Sequence, residues 1–203
     1  MLFRSNGNIP APYTIYQDCY KLEPGHYIQF DLSNFSSKNI KYWDVNDYYN
    51  QPNNSITYED AKQRTEELMI DAFKYRMIAD VPVGVFLSGG YDSTAVAALL
   101  AKSYGKINTF TIGFEEAGYN EAPYAEAVAL EIGTNHFTEI CTIDTAKDII
   151  PELPHIFDEP FGDSSAIPTT LVSRIAKKHV TVALSADAGD ELFAGYQIGR
   201  AHV

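Results

Sequence analysis

The feature that most constrains this chain is a regular alternation of short apolar runs with helix-length segments over its last 120 or so residues. "VPVGVFL" gives way to "DSTAVAALLAKSYG", and "INTFTIGF" to "NEAPYAEAVALEIG", with Gly133 as a stop. "NHFTEICTI" leads to a short helix from about Asp144, "SSAIPTTLVSRIAKKH" precedes "VTVALS", and "GDELFAGY" opens one more helix. Strands that alternate with helices of about 10 to 15 residues indicate βαβ units, because parallel neighbours need a long crossover. In VGVFL and VTVAL the apolarity is continuous, as in strands covered on both faces. The expected fold class is therefore α/β, a Rossmann-like doubly wound parallel sheet with helices on both faces.

The first 50 residues have a different character. "YTIYQDCYKL" and "HYIQFDL" are rich in β-branched and aromatic residues and flank a turn signal, Glu23 to Gly25; "NIKYWDV" suggests a further strand. So few strands are marginal alone, which makes this segment a small β remnant of a larger unit. "NQPNNSI", residues 50 to 56, is polar, contains a proline and serves as the linker. Beyond it, Thr57 and Asp60 form a capping-box-like pair, and Thr65, Leu68, Met69, Ala72 and Phe73 recur at helical spacing on one face.

Charge and cysteine content narrow the partners. Lys and Arg number 15 against 27 Asp and Glu, a formal net charge of −12. Nucleic acid and anionic membrane are poor partners for so acidic a chain without a basic patch, and none shows in the sequence. Cys19 and Cys141 are far apart and lack metal-ligand spacing, so they read as two free, buried thiols. No apolar run reaches the length of a membrane span, and no signal peptide opens the chain. A cytoplasmic setting with small-molecule substrates, and room for a homodimer, is expected.

In a doubly wound sheet, ligands bind beyond the carboxyl ends of the strands. One such end carries Ser88-Gly89-Gly90-Tyr91-Asp92-Ser93-Thr94. Glycines let backbone N–H groups converge on an anion, the following helix offers its unpaired N–H groups, and three hydroxyls add donors. It is neither a Walker A loop nor GxGxxG. Asp92 would repel a bare phosphate, which suggests a Mg²⁺ ion between carboxylate and phosphate oxygens. The same residues would also suit a plain turn with Asp92 capping the helix. A second end, Ser185-Ala186-Asp187-Ala188-Gly189-Asp190-Glu191, crowds three carboxylates at a helix start. Dipole-favoured acids account for that loop taken alone, whereas two such loops on one rim favour a metal.

"FLSGGYDST" resembles the SGGxDS pyrophosphate loop of the ATP pyrophosphatase superfamily, whose members adenylate a substrate. "FDEPFGDSSAIPT" followed by "LSADAGDELFAGY" resembles the synthetase domain of glutamine-dependent asparagine synthetases, where DEPF…D.SAIPT precedes SGDGGDELFGGY. "IPAPYTIYQDCYKLEPGHYI" is similar to the tail of that family's Ntn-type glutaminase domain. The resemblance implies a fold of the ATP pyrophosphatase (adenine nucleotide alpha hydrolase-like) type. Residues 1–50 would be the glutaminase tail and linker strands, and 57–203 the amino-terminal part of a truncated synthetase domain. It further implies that Ser88, Gly89, Gly90, Asp92, Ser93 and Thr94 hold the phosphates of ATP, with Asp92 and Asp190 on Mg²⁺. Leu87, Ile112, Ser185 and Ala186 would contact adenosine. Asp92 and Asp187 would be catalytic, Asp187 in forming and breaking an acyl-adenylate, a role suited to a general base acting on ammonia.

The activity so implied is ATP-dependent activation of aspartate with pyrophosphate release, then amidation by glutamine-derived ammonia. Another carboxylate as acceptor, or nucleotide binding without turnover, are the alternatives. The resemblance implies that the chain spans only the middle of a family member, without the glutaminase nucleophile or a carboxyl-terminal catalytic lysine. Ala186 and Ala188 stand where the family commonly has Gly; a positive φ at either would cost Ala about 1 kcal/mol or more.

Overall fold

A computed structural model describes residues 6–51, 55–116, 118 and 120–196. The described chain divides into two compact units. One comprises residues 1–58 together with 151–164, the other residues 59–150 and 165–203, so the division is not a single cut at the linker. Residues 52–54 of that linker lie outside the described set.

In the first unit, β1 (His26–Asp31) and β2 (Ser36–Lys41) form an antiparallel hairpin with His26 opposite Lys41 and Asp31 opposite Ser36. The hairpin is the expected small β element, but Tyr13–Leu22 is not a strand. Its hydrogen bonds turn inward: Tyr13 N–H donates to the Pro10 carbonyl and Lys21 N–H to that of Pro12. The Thr14 hydroxyl donates to the Cys19 carbonyl at 2.8 Å, and Asp18 has φ of 59°. Side-chain bonds of this kind compete with a ladder where no partner strand is at hand. Cys19 is consequently exposed, contrary to expectation, whereas Cys141 is buried and burial pushes its thiol up. α1 (Val45–Tyr49) starts at Asp44, whose carboxylate accepts from Asn46 N–H. The same unit holds a short 3₁₀ turn with α6 (Leu153–Ile156).

The second unit is a parallel sheet of four strands: β3 (Val83–Phe86), β4 (Asn108–Phe114), β5 (Asn135–Cys141) and β6 (Val182–Leu184), in the order β5-β4-β3-β6. Its helices are α2 (Tyr58–Met77), α3 (Tyr91–Tyr104), α4 (Ala122–Ile132), α5 (Ile143–Ile149), α7 (Ala166–Lys177) and the short α8 (Gly189–Phe193). The chain builds outward from β3 through β4 to β5, then returns to lay β6 against the other side of β3. That reversal is the topological switch of a doubly wound sheet.

Strand periodicity sorts the core into two layers. On one face Val85 and Leu87 pack with Val96, Ala97 and Leu100 of α3, Ala125 and Ala129 of α4, and Phe73 and Met77 of α2. On the other, Phe110 packs with Ile175 and Ala176 of α7, joined by Phe86, Ile112, Phe137 and Ala183. Fully buried side chains such as Leu87 and Leu100 each contribute about 2 kcal/mol in apolar burial. Two expectations change. Leu68 is 52% exposed, because the inward stripe of α2 follows Thr65, Met69, Phe73 and Met77 at spacings of four. β6 is one of the two edge strands of the sheet among the described residues, and Val182 is exposed despite its apolar surroundings in sequence.

Candidate nucleotide site at the switch point

The last rung between β3 and β4 is Leu87 N–H to the Phe110 carbonyl, at 2.9 Å. From there the chain turns through Ser88, Gly89 and Gly90 into α3. Ser93, 8% exposed, organises that turn. Its hydroxyl accepts from Ser88 N–H at 3.2 Å and lies 2.9 Å from the Ser88 hydroxyl, which accepts from Gly90 N–H at 3.3 Å. In this state Ser93 shapes the loop rather than presenting a free donor. Gly89 has φ of 82°, and a Cβ there would lie 2.8 Å from both Ala125 N and Tyr124 Cβ. The first turn of α4 therefore packs directly on the loop, at a distance only glycine allows.

Gly90, with extended backbone, is the residue that starts α3. Asp92 lies two residues beyond that cap, in the first turn, so the reading of Asp92 as helix cap does not hold. Its carboxylate points elsewhere: a Cβ at Gly189 would run into Asp92 Oδ2. The loops after β3 and β6 thus meet, carboxylate against backbone, across the switch point. Asp190 follows Gly189 directly and is half-buried, as is Asp92. The Thr94 hydroxyl is shielded from solvent and has no hydrogen-bond partner.

On the β6 side, Ser185 donates to Asp187 Oδ2 at 2.6 Å, and both residues are exposed. Ala186 packs on the core beside Leu184 and has no positive φ. Ala188 does: at φ 76° and ψ 3° it occupies the left-handed region immediately before α8. Of the two departures from glycine, only the one at 188 strains the backbone. Tyr196 donates to Glu191 at 3.2 Å, and Glu191, ahead of Asp190 and Asp187, pushes its phenol up.

Leu87 is 1% exposed and packs in the core. Ile112 also turns inward, toward the layer covered by α7. At these positions backbone, more than side chain, is what the rim offers a ligand. Among the described residues no group of three or more His, Cys, Asp or Glu is arranged to hold a metal ion. The Asp92 carboxylate lies against Gly189, whereas the Asp190 carboxylate turns toward Gly195. Mg²⁺ habitually takes only one or two carboxylates and completes its shell with phosphate oxygens and water, a demand that Asp92 fits by itself.

Three residues support the site without having been assigned a role from sequence, two of them, Asn120 and Thr111, outside any motif. Asn120 Oδ1 accepts from Phe114 N–H at 3.3 Å and from Ala122 N–H at 3.1 Å, tying the end of β4 to the start of α4. Gly189 makes room for Asp92. Thr111, 3% exposed, donates its hydroxyl to the Leu87 carbonyl. The only hint in sequence is a threonine at an inward position of an apolar strand, which must find a partner.

A family model described as asparagine synthase matches residues 64–203. A Methanocaldococcus jannaschii protein provisionally named an asparagine synthetase (glutamine-hydrolysing) is 41% identical over 197 residues, covering 96% of this chain. Bacillus subtilis asparagine synthetase (glutamine-hydrolysing) 1 is 33% identical over 194 residues, covering 95%. The chain spans 37% and 30% of the length of these two relatives. Among solved structures, an NH3-dependent NAD synthetase from Campylobacter jejuni gives a TM-score of 0.46 at 17% identity, covering 66% of this chain and 60% of that one, a likeness too slight to build on.

Proposed function

Because the chain belongs to the asparagine synthase family, and its two polar loops converge at Asp92 and Gly189, we propose that this rim binds Mg-ATP and activates a carboxylate as an acyl-adenylate. The contact between the Asp92 carboxylate and Gly189 carries the reading, since it brings together two loops whose contacting residues are 97 positions apart in sequence. Ser88, Gly89 and Gly90, with the first N–H groups of α3, surround the phosphates, and the Thr94 hydroxyl gains the acceptor it lacks. Ser93 holds that cradle in shape. Asp92 holds Mg²⁺, which when bound neutralises charge on the phosphates. The adenosine lies along the backbone at Leu87, Ile112, Ser185 and Ala186.

The acceptor proposed is aspartate. One oxygen of its side-chain carboxylate attacks the α-phosphorus, the bond from that phosphorus to the β-bridging oxygen breaks, and pyrophosphate leaves with the electron pair. The carboxylate oxygen, a poor leaving group, becomes part of AMP. Ammonia, supplied from glutamine in the whole protein, adds to the acyl carbon and yields a proton to Asp187 as AMP departs. The N–H cradle favours this sequence by stabilising charge on the departing pyrophosphate.

Calorimetric titration of the 203-residue chain with Mg-ATP tests the assignment. Asp92→Asn should weaken binding about tenfold or more while thermal stability stays nearly unchanged, because Gly90 and not Asp92 starts the helix. Equal affinity in the two proteins would remove Asp92 from the metal.

A further inference from the structure

We propose that Thr111 is a positioning residue for the nucleotide loop, fixing the peptide plane from which residues 88–90 leave the sheet. The proposal rests on the reading of that loop as a phosphate cradle. β4 sends Phe110 and Ile112 to the α7 layer and Thr109 and Thr111 to the opposite face. Both threonines are essentially buried, so each hydroxyl needs a partner. Thr109 finds Thr134 at 2.8 Å and His136 Nδ1 at 2.9 Å, at the opposite end of the strand from the loop. Thr111 reaches across to the neighbouring strand, 24 residues back in sequence, and donates to the Leu87 carbonyl.

That carbonyl and the Ser88 N–H belong to the same peptide group. The N–H donates to the Ser93 hydroxyl in the first turn of α3. One peptide plane is therefore clamped at both ends by side-chain hydroxyls, Thr111 from β4 and Ser93 from α3. It is also the first plane beyond the last ladder rung, Leu87 N–H to Phe110, so its orientation sets the course of the loop and with it where the Gly89 N–H and the first N–H groups of α3 point. Converging N–H groups bind an anion only when their directions are fixed in advance. Ser93 belongs to the loop motif, whereas Thr111 lies outside it and acts through the Leu87 carbonyl.

Three variants of the chain separate positioning from packing. Thr111→Val keeps shape and loses the hydroxyl, Thr111→Ser keeps the hydroxyl, and Thr109→Val removes a buried hydroxyl from the same strand face without touching the loop. Amide hydrogen exchange of ligand-free protein and titration with Mg-ATP are read for each. In Thr111→Val, amides 88–90 should exchange about 5- to 10-fold faster and Mg-ATP affinity should fall by a similar factor, the scale of one buried hydrogen bond. Thr111→Ser should return both to within about twofold of wild type. Thr109→Val should lower the melting temperature with neither local effect. Unchanged loop exchange in Thr111→Val, or equal loosening of the loop by Thr109→Val, would overturn the proposal. If wild type fails to bind Mg-ATP while Thr111→Val still loosens residues 88–90 selectively, the clamp stands and the nucleotide reading falls.

Discussion

Ala188 shows at a single residue how the rim is built under strain. Its φ of 76° is ordinary for glycine and unfavourable for a residue with a Cβ. Ala188→Gly should therefore raise stability by about 1 kcal/mol, a melting temperature higher by about 2–4 °C for a chain of this size, checked by thermal denaturation. A lower melting temperature would mean that the entropy glycine adds to the unfolded chain exceeds the strain. Thr94 poses the complementary case. Its hydroxyl is buried without a partner, so removing it leaves nothing unsatisfied in the protein. Thr94→Val should leave the melting temperature unchanged or slightly higher and weaken Mg-ATP binding several-fold. Loss of stability without loss of affinity would make Thr94 a packing residue.

Packing of one element on another explains the loop's glycine. Gly89 combines a left-handed φ with contact against the first turn of α4, whereas Gly105, at φ 76°, has open space around its Cβ position. Gly105→Ala should cost only the backbone term, about 2 kcal/mol at φ 76° and ψ −134°, and Gly89→Ala roughly 3–4 kcal/mol, because α4 must move as well. Urea unfolding of the two variants measures the difference, and equal costs would show that α4 yields freely. At this scale the sequence was most legible. Continuous apolar runs mark β3 and β6, and Gly133 ends α4 where expected, because burial and stop signals are local. Tyr13–Leu22 misled because β propensity describes residues that suit a half-buried pleat, and it does not supply the partner strand. Placing Asp92 and the 187–190 loop on one sheet rim was legible too, since strand ends gather there. The Asp92–Gly189 contact, the tie from Asn120 back to Phe114 and the Thr111 bond were not, because each joins groups whose proximity is decided by packing rather than by spacing.

For the molecule as a whole, the net charge of −12 implies mutual repulsion near neutral pH that fades toward the isoelectric point of about 4.7. Acid sensitivity should nevertheless begin well above that value, at His136. Among the described residues it is the histidine whose imidazole is held below its ordinary value, chiefly by burial, with Glu126 acting weakly in the opposite sense. The geometry agrees: Nδ1 is engaged by Thr109, and Nε2 is buried with no partner. An imidazolium carries an N–H on each nitrogen, so protonation would leave a buried donor unsatisfied. The unfolded chain takes up the proton more readily than the folded one. His136 therefore contributes its full stability above about pH 6.5, the ordinary histidine value, and that contribution is lost as pH falls through the lowered folded value. The melting temperature should drop between about pH 7 and pH 5, before carboxylates titrate in bulk. His136→Gln, neutral throughout, should flatten that slope while lowering stability at pH 7 through imperfect packing. Thermal unfolding of both proteins at half-unit intervals of pH decides the matter. Parallel profiles would show that the acid response originates elsewhere and that the buried imidazole accommodates its proton.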